Sequence, residues 1–121
     1  MDKPEVAYEL HDSTIVAVSI GPRREAMFTI DLYPIYYSNK PRVRLRFGGI
    51  DNLDEVMQYV DEIRQEAGAV YIGCRIDAFH YDIKKESKIG DYWFLLQTDW
   101  CGPLRIHCSS MSMIELESPS S

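Results

Sequence analysis

The sequence predicts an α+β fold: a twisted, mainly antiparallel sheet of about six strands with one helix packed on one face, in the order βββαβββ. Six segments join β-branched or aromatic residues to an alternation of apolar and polar positions. One stretch alone shows helical spacing. The links between strands are short, which favours hairpins over the long crossovers of parallel sheets. At 121 residues and 14.0 kDa the chain fits one domain, with residues 1–9 and 117–121 expected to fray. A chain of this size buries about two-thirds of its unfolded surface, enough for a core without disulfides or metal.

Residues 14–20 read Thr-Ile-Val-Ala-Val-Ser-Ile and stop at Gly21-Pro22, which marks a first strand and a turn. Residues 26–33 form the second, with Phe28, Ile30 and Leu32 on one face and Thr29, Asp31 and Tyr33 on the other. Pro34 and Pro41 bound a loop that no central strand can occupy. Residues 42–47 alternate Arg-Val-Arg-Leu-Arg-Phe, a half-buried strand with Val43, Leu45 and Phe47 inward, ended by Gly48-Gly49.

Leu53, Val56, Met57, Val60, Ile63 and Ala67 line one face of a helix over residues 52–67. Asp51 suits its N-cap, Asp54 and Glu55 its first turn, and Gly68 its left-handed C′ position. Residues 70–79 and 91–98 follow as strands separated by a polar turn at 84–90. The turn Asp99-Trp100-Cys101-Gly102-Pro103 leads into a last strand over 104–116, interrupted near 109–112.

The net charge of −6 hides a segregation. Between positions 21 and 46, Arg23, Arg24, Lys40, Arg42, Arg44 and Arg46 face only Glu25 and Asp31, a local excess of four positive charges that leaves an excess of ten negative charges elsewhere. An acidic protein repels a phosphate backbone at long range, so general nucleic-acid binding is not expected. No apolar run approaches the roughly 20 residues of a membrane helix. Residues 1–9, with Asp2, Glu5 and Glu9, do not resemble a secretory signal. Three cysteines, an odd number without zinc-like spacing, point to a reducing cytoplasm. No metal, disulfide or cofactor is expected.

Few residues carry chemistry. His11 and Asp12 fit a metal or acid–base pair, but equally a turn in which Asp12 or Ser13 caps the backbone. Asp77, His80 and Asp82 cluster near a strand end and with His107 and His11 suggest a metal site, yet no pair has a diagnostic spacing. Cys74 and Cys108 share inward parity, and Cys101 sits in a turn with no histidine beside it in the chain. Gly48-Gly49 lacks the Lys-Ser/Thr of a phosphate loop, and an acidic turn follows it.

Binding surfaces are better marked. The loop at 33–41 is rich in tyrosine, and Tyr36 and Tyr37 suit recognition or fold back as a lid with Ile35. Arg42, Arg44 and Arg46 form either a binding stripe or the charged guard of an edge strand. The outer helix face carries Asp54, Glu55, Asp61, Glu62 and Glu66 against Arg64 alone. Glu62 and Glu66 lie where the helix dipole disfavours anions, so helix stability does not account for them.

Leu10-His11-Asp12-Ser13 leading into a strand, and Phe47-Gly48-Gly49-Ile50 ending one before a helix, resemble a group of small bacterial domains of unknown function. Some of those resemble immunity proteins of bacterial toxin systems. The resemblance covers the first half of the chain and implies a non-enzymatic bacterial protein, without assigning a catalytic residue. The sequence thus leads to a protein-binding module for a basic partner, with an immunity-type inhibitor of a basic toxin as its suggested form. The alternative is a small-molecule-binding or enzymatic domain that uses His11, Asp12, Arg75, His80 and His107 in a sheet pocket.

Overall fold

Alternating apolar residues need a second layer to bury them, and here the sheet supplies much of that layer by curling onto itself. The computed structural model describes residues 4, 6, 8–35, 37, 42–67 and 72–116. The expected contributions of Tyr36, Lys40, Pro41, Gly68 and Val70, and of the Glu66 and Ala67 side chains, lie outside the described residues. The elements run β1 (Thr14–Gly21), β2 (Glu25–Asp31), β3 (Arg42–Gly48), α1 (Leu53–Ala67), β4 (Cys74–Tyr81), β5 (Tyr92–Thr98), β6 (Gly102–Cys108) and β7 (Ser110–Leu116). The fold is α+β, with every strand pair antiparallel and a sheet order of β6-β5-β4-β1-β2-β3-β7.

Among the described residues seven strands form where the sequence suggested about six. The last segment is two strands, and the break falls on Ser109 alone. β6 and β7 stand at opposite ends of the sheet order yet are joined by that single residue, so the sheet must curl until its ends meet. The kink is seated on Gly48-Gly49. Ser109 N and Oγ both donate to Gly48 O, at 3.0 and 3.2 Å. A Cβ on Gly48 would lie 2.6 Å from Ser110 Oγ, and Gly49 has φ +60° with the Ser109 side chain against it. Gly49 is the position that requires glycine; at Gly48 a side chain would displace the Ser110 hydroxyl.

The seam between the two halves of the sheet is thin. β1 meets β4 through Thr14 and Ile15 opposite Arg75 and Cys74. The corner before β1 extends this seam: Asp12 N donates to Ile76 O and Ile76 N to Ser13 O, both at 2.8 Å. Tyr33 N donates to the buried Ser13 Oγ at 2.9 Å, which ends β2 two residues before the predicted limit. Bulges at Val16 in β1 and Asp77 in β4 shift the alternation, so Val18 and Phe79 face inward.

The core fills the concave side. Phe47 of β3 meets Phe94 of β5 edge-on at 5.7 Å, although four places separate their strands in the sheet. Phe28 and Phe79 flank Phe47 at 5.9 Å each. The helix adds Val56, Tyr59, Val60 and Ile63. Two expectations change there. Met57 lies on the flank of the stripe and is 43% exposed, whereas Tyr59 is 6% exposed and belongs to the core. Asn52, rather than Asp51, directly precedes the helix, and its carbonyl accepts from Glu55 N and Val56 N. No helix among the described residues is long and apolar enough to cross a membrane.

Candidate functional site

The helix presents its acidic residues outward because its apolar ones are drawn to the sheet. At 100° per residue, Asp54, Gln58 and Asp61 fall in one row, with Met57 on one side and Glu55 and Glu62 on the other. All six are exposed. Among the described residues none of the four carboxylates forms an ion pair. Arg64, the one basic residue of the helix, instead donates from Nη2 to Val18 O at 2.6 Å. Glu55, Gln58, Glu62 and the Tyr59 edge border a hollow of about 250 Å³ floored by Cys101, Pro103 and Leu104. Two carboxylates over a small recess suit the end of a lysine or arginine side chain.

The basic stripe is used differently. β3 lies between β2 and β7, so its arginines guard no edge. Arg42 Nε bonds Asp31 Oδ1 at 2.6 Å across the strand pair, and Arg46 pairs with Glu25. These are the only two acidic residues in the basic segment, and both are engaged. Arg44 is exposed between Thr29 and Ile114.

Of the tyrosine loop, Tyr37 packs against the fold. It stands edge-on to Tyr8 at 5.6 Å, and its hydroxyl accepts from Glu9 N at 2.7 Å. Tyr36 lies outside the described residues. Ile35, expected to fold back with a tyrosine, is 77% exposed.

His11, Asp12 and Arg75 gather at the β1–β4 seam, whereas His80, farther along β4, only shares a cleft with His11. His11 donates from Nδ1 to Asp77 O at 2.6 Å, while its Nε2 stands 3.5 Å from Asp12 Oδ2. Arg75 reaches Asp99 at 2.7 Å and Asp12 at 3.6 Å. The Asp77 carbonyl, with carboxylates around it, raises the His11 pKa. Asp77 and Asp99 are hydrogen-bonded, which holds the first carboxyl above and the second below the ordinary range, Arg75 assisting the second. Glu9, His11, Asp77, Ala78, Phe79 and His80 line an open cleft of about 430 Å³. These bonds brace a seam that has few ladder bonds. The resembling motif Leu10-His11-Asp12-Ser13 is thus a corner: Ser13 N donates to Leu10 O at 2.9 Å, and Asp12 takes φ +65°.

His107 does not join them. It stands two strands from His80, across β5, with its ring stacked on Trp93 at 4.1 Å and its nitrogens facing Asp51, at 3.2 Å, and Asp91. Asp82 also leaves Asp77 and His80. It is buried, and Arg105 Nε reaches it at 2.8 Å. Burial pushes the Asp82 carboxyl up, but the Lys84 amide and Arg105 outweigh it and hold the pKa below the ordinary value. Among the described residues no group of three or more His, Cys, Asp or Glu is placed to hold a metal ion.

Sequence reasoning missed Met57 as a surface residue, the hollow beneath Glu55 and Glu62, and Asp99. The run of turn residues at 99–103 concealed Asp99, because its partners Arg75 and Asp77 arrive from another strand. No protein-family model, curated protein or solved structure matches the chain.

Proposed function

We propose that this protein is a non-enzymatic binding module whose outer helix face docks a basic protein partner, with an immunity-type inhibitor of a basic toxin as the form the motif resemblance suggests. The observation that carries this reading is an asymmetry of pairing. Arg42 and Arg46 are neutralised within the fold, which leaves Arg44 as the exposed arginine of the stripe, while the helix face gathers four exposed carboxylates, Asp54, Glu55, Asp61 and Glu62, without an ion pair among the described residues. Unpaired charge of one sign steers an oppositely charged partner and raises its association rate. Met57, at the flank of that row, supplies an apolar anchor, and the hollow between Glu55 and Glu62 receives a cationic side chain.

The test is kinetic. Basic proteins retained on the immobilised protein are measured one by one for association rate at low and physiological salt. Asp61→Lys with Glu62→Lys is expected to slow association at least tenfold at low salt and to flatten its salt dependence. Met57→Ala is expected to speed dissociation instead. Equal rates for parent and charge-reversed protein defeat the reading. The cleft beside His11, lined also by Glu9, Asp77 and His80, favours a small-molecule-binding alternative. Loss of a small-molecule activity in His80→Ala, with partner binding unchanged by the helix variant, selects that alternative.

A further inference from the structure

The two ends of this sheet are finished differently. At β6 the segment before the helix acts as an extra strand: Asn52 Nδ2 donates to Arg105 O at 2.7 Å, His107 N to Asn52 Oδ1 at 2.9 Å, and Asp51 N to His107 O at 2.7 Å. At β7 nothing comparable exists among the described residues. Among the described residues the backbone from Met111 to Leu116 bonds only toward β3. This bare edge has no lysine or proline, and its single charge is Glu115. Ile114 is 49% exposed beside it. Unguarded edges of this kind template strand addition.

We propose that β7 is a self-association edge, pairing antiparallel with β7 of a second copy about a two-fold axis through Met113. The strand's own pattern selects this occupant. Antiparallel pairing about Met113 sets Ser112 against Ile114 of the other copy and Glu115 against Met111, so no like charges meet. The two Ile114 side chains become diagonal neighbours on the outer face and cover each other. Glu115 retains its bond from Tyr8 Oη at 2.9 Å. The pairing joins the two sheets into one. Strand pairing this short buries less than the roughly 1,200 Å² of a standard stable interface, so the dimer forms only at high concentration.

Sedimentation velocity from about 10 μM to about 1 mM is expected to show mass rising from one chain toward two, with a dissociation constant in the upper part of that range. Ile114→Glu places two carboxylates side by side at the axis and is expected to weaken the dimer about tenfold or more. Should that variant not fold, Ser112→Glu, on the same exposed face, takes its place. Hydrogen exchange of the parent provides an independent reading: amides at 111–115 gain protection with concentration, while those of β6 do not. A chain that stays monomeric at the highest concentration overturns the proposal. So does a dimer that Ile114→Glu or Ser112→Glu leaves unchanged, or one whose added protection lies outside β7.

Discussion

Replacing Tyr59 with phenylalanine keeps the ring in the core and removes only a hydroxyl that ties the helix to the β5–β6 turn. That hydroxyl lies 2.5 Å from Thr98 Oγ1 and also donates to Gly102 O. Thr98 is 3% exposed and Tyr59 6%, so water does not readily replace the lost partner. Cys101 N donates to Thr98 Oγ1 at 3.4 Å, but it cannot accept the proton that Thr98 gave to Tyr59. Two bonds are lost; water takes over the half-buried Gly102 carbonyl, so the cost is the Thr98 bond, about 1 kcal/mol, plus its orphaned buried hydroxyl, about 1–2 kcal/mol, or about 2–3 kcal/mol together. For a chain of this length, 1 kcal/mol moves the melting temperature by about 4 °C. Calorimetric melts should therefore show Tyr59→Phe lower by about 8–12 °C. Thr98→Val removes the same bond from the other side, so the double variant should lose at least about 1 kcal/mol less than the sum of the singles. A Tyr59→Phe melt within about 2 °C of the parent, or strict additivity, refutes the reasoning.

Val60→Asp places an unpaired carboxylate where the parent side chain is 1% exposed and should cost several kcal/mol, read as a much lower urea midpoint. Gly49→Ala forces a side chain into φ +60° against Ser109, which should cost about 2 kcal/mol or more by denaturant titration. Stability should fall with alkali. Burial pushes Tyr59 from 10.0 up to about 12 and Cys108 from 9.0 up to about 12, so the folded state holds protons that the unfolded chain releases. Their contribution is complete below the unfolded values and lost as pH rises from 9 toward 12, which chemical denaturation across that range measures. Tyr59→Phe should remove the last tyrosine from the absorbance titration, and a thiol assay should find Cys108 inert until the chain unfolds.

Properties that depend on near neighbours were legible in the chain. Alternation placed Phe28, Ile30, Val43, Leu45 and Phe47 inward, because a strand's side chains change face at every residue. The helical row placed Val56, Val60 and Ile63 inward and Asp54, Glu55, Asp61 and Glu62 outward for the same geometric reason. The acidic face of the candidate site was therefore readable, though not that it lacks partners. Pairing between distant residues was decided by the tertiary structure. Whether Arg42 and Arg46 are free depends on a cross-strand register that brings Asp31 and Glu25 beside them. The separation of His107 from His11 and His80 depends on β5 lying between β4 and β6. Tyr59 follows the helical period no better than Met57 does; it is buried because a buried threonine and the Gly102 carbonyl await its hydroxyl. The kink at Ser109 depends on Gly48-Gly49, some sixty positions earlier in the chain, and it turns one apparent strand into the two ends of a curled sheet. A chain's local pattern determines which side of a residue is apolar, whereas which residues meet is set by the closure of the sheet.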